Sequence, residues 1–202
     1  MNIKMKKMLL FIGVLCLIIF CFFYYKTSKF GNNISNKNEE EIIEYILNDL
    51  KEYTANINII VYSNKTEVEY NVKQELCEGK TIQEVLYPEN IKGMKIELEN
   101  NRLKISNSEL NLEKIYESYE PFLNNALFLN VFIDEYKKNT SKRYVLGDEI
   151  VLETKIADST NTYAQYKELH IDKKTNIIKE LIVKDHNQKT RINIKYNDIE
   201  IK

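Results

Sequence analysis

Ile57-Asn58-Ile59-Ile60-Val61-Tyr62-Ser63-Asn64-Lys65-Thr66-Glu67-Val68-Glu69-Tyr70-Asn71-Val72-Lys73 decides the fold. Ile57, Ile59 and Val61 lead into a Ser63-Asn64-Lys65 turn, after which Val68, Tyr70 and Val72 alternate with Glu67, Glu69, Asn71 and Lys73. A period of two places the apolar set on one side of an extended chain, so this stretch reads as a half-buried antiparallel hairpin.

The same period continues downstream. An extended piece from Thr81 to Tyr87 stops at Pro88, and Met94, Ile96 and Leu98 then alternate with Lys95, Glu97 and Glu99. Asn100 and Asn101 suit a left-handed turn, Leu103 and Ile105 return on the next strand, and Leu110 and Leu112 read as inward residues of another short piece. After Gly147 come strands around Ile150–Ile156, Tyr163–Ile171, Ile178–Val183 and Ile192–Ile201, with turns at Asp172–Asn176 and Asp185–Gln188. The chain therefore ends in a meander of about four strands.

Two stretches break the pattern. Asn38 followed by Glu39, Glu40 and Glu41 reads as an N-cap with acids in the first turn, opening a helix with Ile42, Ile43, Ile46, Leu47 and Leu50 on one face and Tyr53 near its end. In the middle, Glu113–Tyr119 reads as a helical turn, and Pro121 opens a helix through Lys138. Its apolar residues, among them Phe122, Leu127, Phe128, Val131 and Phe132, cover most of its circumference, so it is either buried in a concave sheet or exposed at a binding surface, and burial is the expectation. The expected class is α+β: a curved antiparallel sheet or incomplete β-barrel packed on helices, forming one domain over residues 38–202.

Upstream lies a leader. Lys4, Lys6 and Lys7 precede an uncharged run from Met8 to Tyr25, followed by Lys26. Such a run is about 27 Å long as a helix, at the lower edge of what spans a bilayer core. The lysine bias places the N-terminus inside and the bulk of the chain on the extracytoplasmic side. Residues 1–26 are read as a signal, membrane or lipid anchor, and residues 27–37 as a polar tether. An uncleaved helix, a signal peptide, and a lipoprotein signal in which Cys21 is acylated all fit; Phe20 departs from the small residue expected before a lipidated cysteine.

Five of the 29 Lys and Arg (Lys4, Lys6, Lys7, Lys26 and Lys29) lie in the first 30 residues, which hold no acid, leaving 24 basic against 30 acidic residues beyond them. That balance argues against nucleic-acid binding, which rests on a basic face. Outside the leader only Cys77 remains, read as a small buried residue ending a strand, so no internal disulfide is expected there. His170 and His186 read as exposed turn residues without metal or triad spacing. Glu67, Glu69, Glu97, Glu99 and Glu153 fall on the outward strand phase and read as a solvated face. There is no phosphate-cradling loop or nucleophile elbow, and no metal or cofactor motif. The excess of tyrosine, 14 residues, fits either protein contacts or sheet packing. An unclosed sheet edge also allows a homodimer.

The closing run Leu169-His170-Ile171-Asp172-Lys173-Lys174-Thr175-Asn176, with Lys179-Glu180-Leu181-Ile182-Val183-Lys184-Asp185 and Ile194-Lys195-Tyr196-Asn197-Asp198-Ile199-Glu200-Ile201, resembles the C-terminal strands of LolA-like lipoprotein-carrier folds. Within that superfamily, Pro88-Glu89-Asn90-Ile91-Lys92-Gly93-Met94, Tyr116–Phe122 and Phe132–Tyr136 resemble the germination lipoprotein GerS group of anaerobic spore formers. The resemblance implies a non-enzymatic, membrane-tethered protein, in the forespore intermembrane space, that binds and activates the spore-cortex amidase CwlD. It carries over no individual site residue. The other expectation is a lipid or lipoprotein carrier, told apart by an open apolar cavity where the amidase partner would have a helix-filled one.

Overall fold

The computed structural model describes residues 38–118, 127–156 and 162–201. The leader, including Cys21, and the tether at 27–37 lie outside these. The first short piece is a helix, α1 (Glu39–Glu44). Its start follows the expected cap: the Glu41 N–H donates to Asn38 Oδ1 (2.9 Å), and the Asn38 N–H donates to Glu41 Oε2 (3.1 Å). The helix then widens into a π turn, Tyr45–Asp49, closed by the Leu50 N–H on the Tyr45 carbonyl (3.0 Å). Tyr53, expected near the helix end, instead opens the first strand, where it is fully buried.

Residues from Ile43 onward build one antiparallel sheet. Its strands are β1 (Tyr53–Tyr62), β2 (Glu67–Cys77), β3 (Lys80–Tyr87), β4 (Lys95–Glu99), β5 (Arg102–Asn107), β6 (Leu112–Tyr116), β7 (Ser141–Leu146), β8 (Glu149–Lys155), β9 (Tyr166–Asp172), β10 (Ile178–Lys184) and β11 (Thr190–Ile201). The order β6-β5-β4-β3-β2-β1-β11-β10-β9-β8-β7 joins two meanders through pairing of the first and last strands. The sheet curves without closing, leaving β6 and β7 as its edges. One helix, α2 (Leu129–Lys138), lies between the meanders in sequence and packs on β8 and on the π turn.

The turns follow from side-chain chemistry. Asn100 and Asn101, at φ 47° and 64°, link Glu99 to its partner Arg102 in a two-residue hairpin. Asp172 Oδ1 accepts from the Lys174 and Thr175 N–H groups (2.9 and 2.8 Å), which fixes the β9–β10 turn.

Several expectations change. Glu113–Tyr119 was expected to make a helical turn, but Leu112–Tyr116 is an edge strand, paired residue by residue with β5. Leu110 and Leu112 are exposed, not inward. The helix expected from Pro121 begins at Leu129, because Phe128 is extended (φ −109°, ψ 124°); Pro121–Ala126 lies outside the described residues. The C-terminal meander has an extra strand, β7, whose Lys142, Arg143 and Tyr144 gave no apolar alternation. Cys77 does end β2, yet it is exposed, because it sits at the two-residue Glu78-Gly79 turn.

Candidate interaction surface

The inner face is filled by α2. Leu129 and Phe132 are fully buried, and Phe128 and Val131 pack with Leu98 and Leu103. Where the chain approaches α2, a polar clamp holds it. Gln74 on β2 and Gln83 on β3 face each other across the ladder. Both amides donate to the Leu127 carbonyl, at 2.9 and 3.1 Å. The Tyr53 hydroxyl donates to Gln74 Oε1 (2.5 Å). Burial pushes the Tyr53 hydroxyl well above the ordinary phenol range, with nearby Tyr196 adding to this and the Leu129 N–H opposing it. At the far end of α2, Lys167 of β9 donates to Glu135 Oε2 (2.5 Å), both side chains nearly solvent-free. Burial lowers the Lys167 pKa, and Glu135 opposes that shift.

The face turned away from α2 carries a second network. His170 lies in the body of β9 and is only 6% exposed, so the expectation of an exposed turn residue is corrected; it sits opposite Val151 in the middle of the meander. Its Nδ1 lies 2.8 Å from Glu149 Oε2, and its Nε2 lies 3.4 Å from Glu168 Oε2. Lys184 reaches Glu168 Oε1 (2.6 Å), Lys142 reaches Glu153 (3.0 Å), and Lys179 pairs with Glu149. Tyr144 lies 3.4 Å from both Glu153 and Glu168. Glu153, expected to be solvated, is buried within this array, whereas Glu67, Glu69 and Glu99 are exposed as expected. Burial works against the Glu168 carboxylate, but His170 and Lys184 outweigh it and hold its pKa down at about 2. Burial, then the Glu168 and Glu153 charges, pushes Tyr144 up to about 12. His186 is an exposed turn residue, as expected.

Some exposed apolar side chains lie at the sheet edges. Leu110 and the β6 residues Leu112, Ile115 and Tyr116 are exposed at one edge, and Val145 and Leu146 of β7 at the other, while Val68, Leu86, Tyr87, Tyr163 and Ile177 are exposed away from them. There are also two open grooves. One, of about 430 Å³, has Leu47, Leu50, Leu76 and Ile133 together with Lys51, Glu78, Asp134 and Lys137. The other, of about 360 Å³, runs along Lys95, Ser106, Asn107, Leu112 and Glu113. Both mix charged and apolar walls. Among the described residues, no group of three or more His, Cys, Asp or Glu is arranged to hold a metal ion, and no helix is long and apolar enough to cross a membrane. The inner glutamines, the Lys167–Glu135 pair and the His170 array escaped sequence reasoning. The available signal was a polar residue on the inward phase, Gln74 between Val72 and Leu76 and Gln83 between Thr81 and Val85.

A family model for YdcC-like sporulation proteins matches residues 5–202. The chain belongs to that family. No curated protein matches it. Among solved structures, it is similar to an uncharacterized conserved protein from Thermus thermophilus at 12% identity, covering 82% of this chain and 88% of that one, with a TM-score of 0.52. It is equally similar in fold (TM-score 0.52, 23% identity, 83% and 98% coverage) to a chain in the structure of the CwlD amidase from Clostridioides difficile in complex with the GerS lipoprotein. A LolA superfamily protein from Nitrosomonas europaea matches at a TM-score of 0.45 and 14% identity, covering 85% and 93%. This YdcC-like chain therefore shares its fold with a chain of the amidase–lipoprotein complex.

Proposed function

We propose that this YdcC-like protein is a non-enzymatic sporulation protein, tethered by its leader on the extracytoplasmic face of a membrane in the forespore intermembrane space. There it binds and activates a spore-cortex N-acetylmuramoyl-L-alanine amidase of the CwlD type. The observation that carries this reading is α2 packed on the inner face, with Leu129 and Phe132 fully buried and Glu135 held by Lys167. The exposed apolar side chains at the sheet edges supply contact area for another macromolecule. Activation follows from binding the competent amidase conformation more tightly than the incompetent one, which shifts the enzyme population.

The test mixes the full chain in detergent micelles with the cortex amidase of the same cell, reading co-purification and amide-bond cleavage on cortex peptidoglycan. Stable co-purification with raised cleavage is expected. Saturating protein that leaves both unchanged refutes the proposal, and stoichiometric capture of a fluorescent fatty acid in the same assay favours the carrier instead.

A further inference from the structure

The array around His170 is built on a ring whose two nitrogens both face carboxylate oxygens, Nδ1 toward Glu149 and Nε2 toward Glu168. A neutral imidazole has one N–H and can donate to only one of them; an imidazolium donates to both. His170 and Glu168 both belong to β9 and Glu149 to β8, so the Nδ1–Glu149 contact is the cross-strand tie and the Nε2–Glu168 contact lies within β9. Beyond β8 lies only β7, whose Tyr144 and Lys142 reach this array through Glu153 and Glu168.

We propose that His170 is a proton-controlled clasp for the β7–β8 edge hairpin. The protonated ring makes a charged pair with Glu149 across the strands while also donating to Glu168 in its own strand. Loss of the proton either reduces the Glu149 contact to a neutral hydrogen bond or gives it up in favour of Glu168, and both loosen the edge. The surrounding charges agree. From β7 come Lys142 and Tyr144, from β8 Glu149 and Glu153, from β9 Glu168 and Asp172, from β10 Lys179, Glu180 and Lys184, and from β11 Lys195, opposite Glu180. The carboxylates outnumber the ammonium groups, and the imidazolium makes up the difference. Burial opposes charge on His170, but the hydrogen bonds to Glu168 and Glu149 and the Glu180 and Glu149 charges overcome it, so the pKa is raised above the usual imidazole value. A group raised in the folded state contributes stability that is complete below its unfolded pKa of about 6.5 and is lost as pH rises through the folded value. The clasp therefore weakens on the alkaline side. This inference does not depend on the partner's identity.

The experiment uses the full chain in detergent micelles with histidine labelled at ring Cε1. Proton–carbon spectra from about pH 5 to about pH 9 follow His170 in the native chain and in the chain unfolded in urea. His170 is expected to titrate higher in the native chain than in the unfolded one, and Glu149→Gln is expected to bring it down. In parallel, the thermal midpoint of the unmodified chain should fall by about 2–4 °C between slightly acidic and slightly alkaline pH, and the fall should vanish in His170→Gln. A His170 that titrates no higher in the native chain than in the unfolded one overturns the proposal, as does a His170→Gln chain with the original pH slope. The titration needs no variant, so it decides even where His170→Gln fails to fold.

Discussion

In the C-terminal meander the inward positions Ile150, Leu152, Leu169, Ile171 and Leu181 are all fully buried, whereas β2 and β3 of the N-terminal meander place Gln74, Thr81 and Gln83 among Val72, Leu76 and Val85. The two faces are covered by different things. α2 lies against β8, and a regular helix satisfies its own backbone, so packing there is mostly apolar, with the Lys167–Glu135 pair at the far end of the helix. Just before α2 the part-buried Leu127 carbonyl faces the sheet, and the two glutamine amides supply its donors. The outer faces differ as well. The N-terminal meander carries separate exposed pairs such as Lys104–Glu113 (2.8 Å) and Lys95–Glu84 (3.7 Å), each of small worth, while the C-terminal one concentrates its charges in the largely buried array around His170.

Four substitutions test this contrast. Phe132→Ala empties the centre of the C-terminal core and should cost about 4 kcal/mol in urea unfolding; a loss under about 1 kcal/mol would mean that α2 is not the plug described. Lys167→Met should cost about 3 kcal/mol by leaving Glu135 buried without its cation, and adding Glu135→Leu should recover most of that loss. Gln74→Leu strips the Tyr53 hydroxyl of its acceptor and Leu127 of one donor, for about 2 kcal/mol. Its distinguishing readout is local: amide exchange at the start of α2 should speed up more than exchange in β9 and β10. Ile115→Lys on the exposed β6 edge should change stability by less than about 0.5 kcal/mol. If that edge meets the amidase, the same change should weaken co-purification about tenfold.

Much of the sheet was legible because one face is buried and the other wet. That condition writes a period of two into β1, β2, β4, β5 and β11, and it puts Asn100 and Asn101 where positive φ is required. β6 and β7 were missed or misread for the opposite reason: both faces of an edge strand are exposed, so Leu112-Glu113-Lys114-Ile115-Tyr116 and Ser141-Lys142-Arg143-Tyr144 carry no strong alternation. The break at Phe128 was not legible because the local apolar run continues through it, while in the fold the preceding Leu127 carbonyl is held by Gln74 and Gln83 from distant strands. His170 is the instructive case in the candidate surface. Its neighbours in sequence mark it as close to a turn, and only strand pairing brings Glu149, 21 residues away, to its ring.

Alternation, turn chemistry and the Asn38 cap are local physics, and the amino-acid sequence alone determined them: an antiparallel α+β sheet with an amphipathic start and a greasy middle. Which residues share a buried charge, which carbonyl needs two glutamines, and where α2 begins were decided only in three dimensions. Those outcomes depend on desolvation and on partners from distant strands, and neither is encoded in the spacing of neighbouring residues.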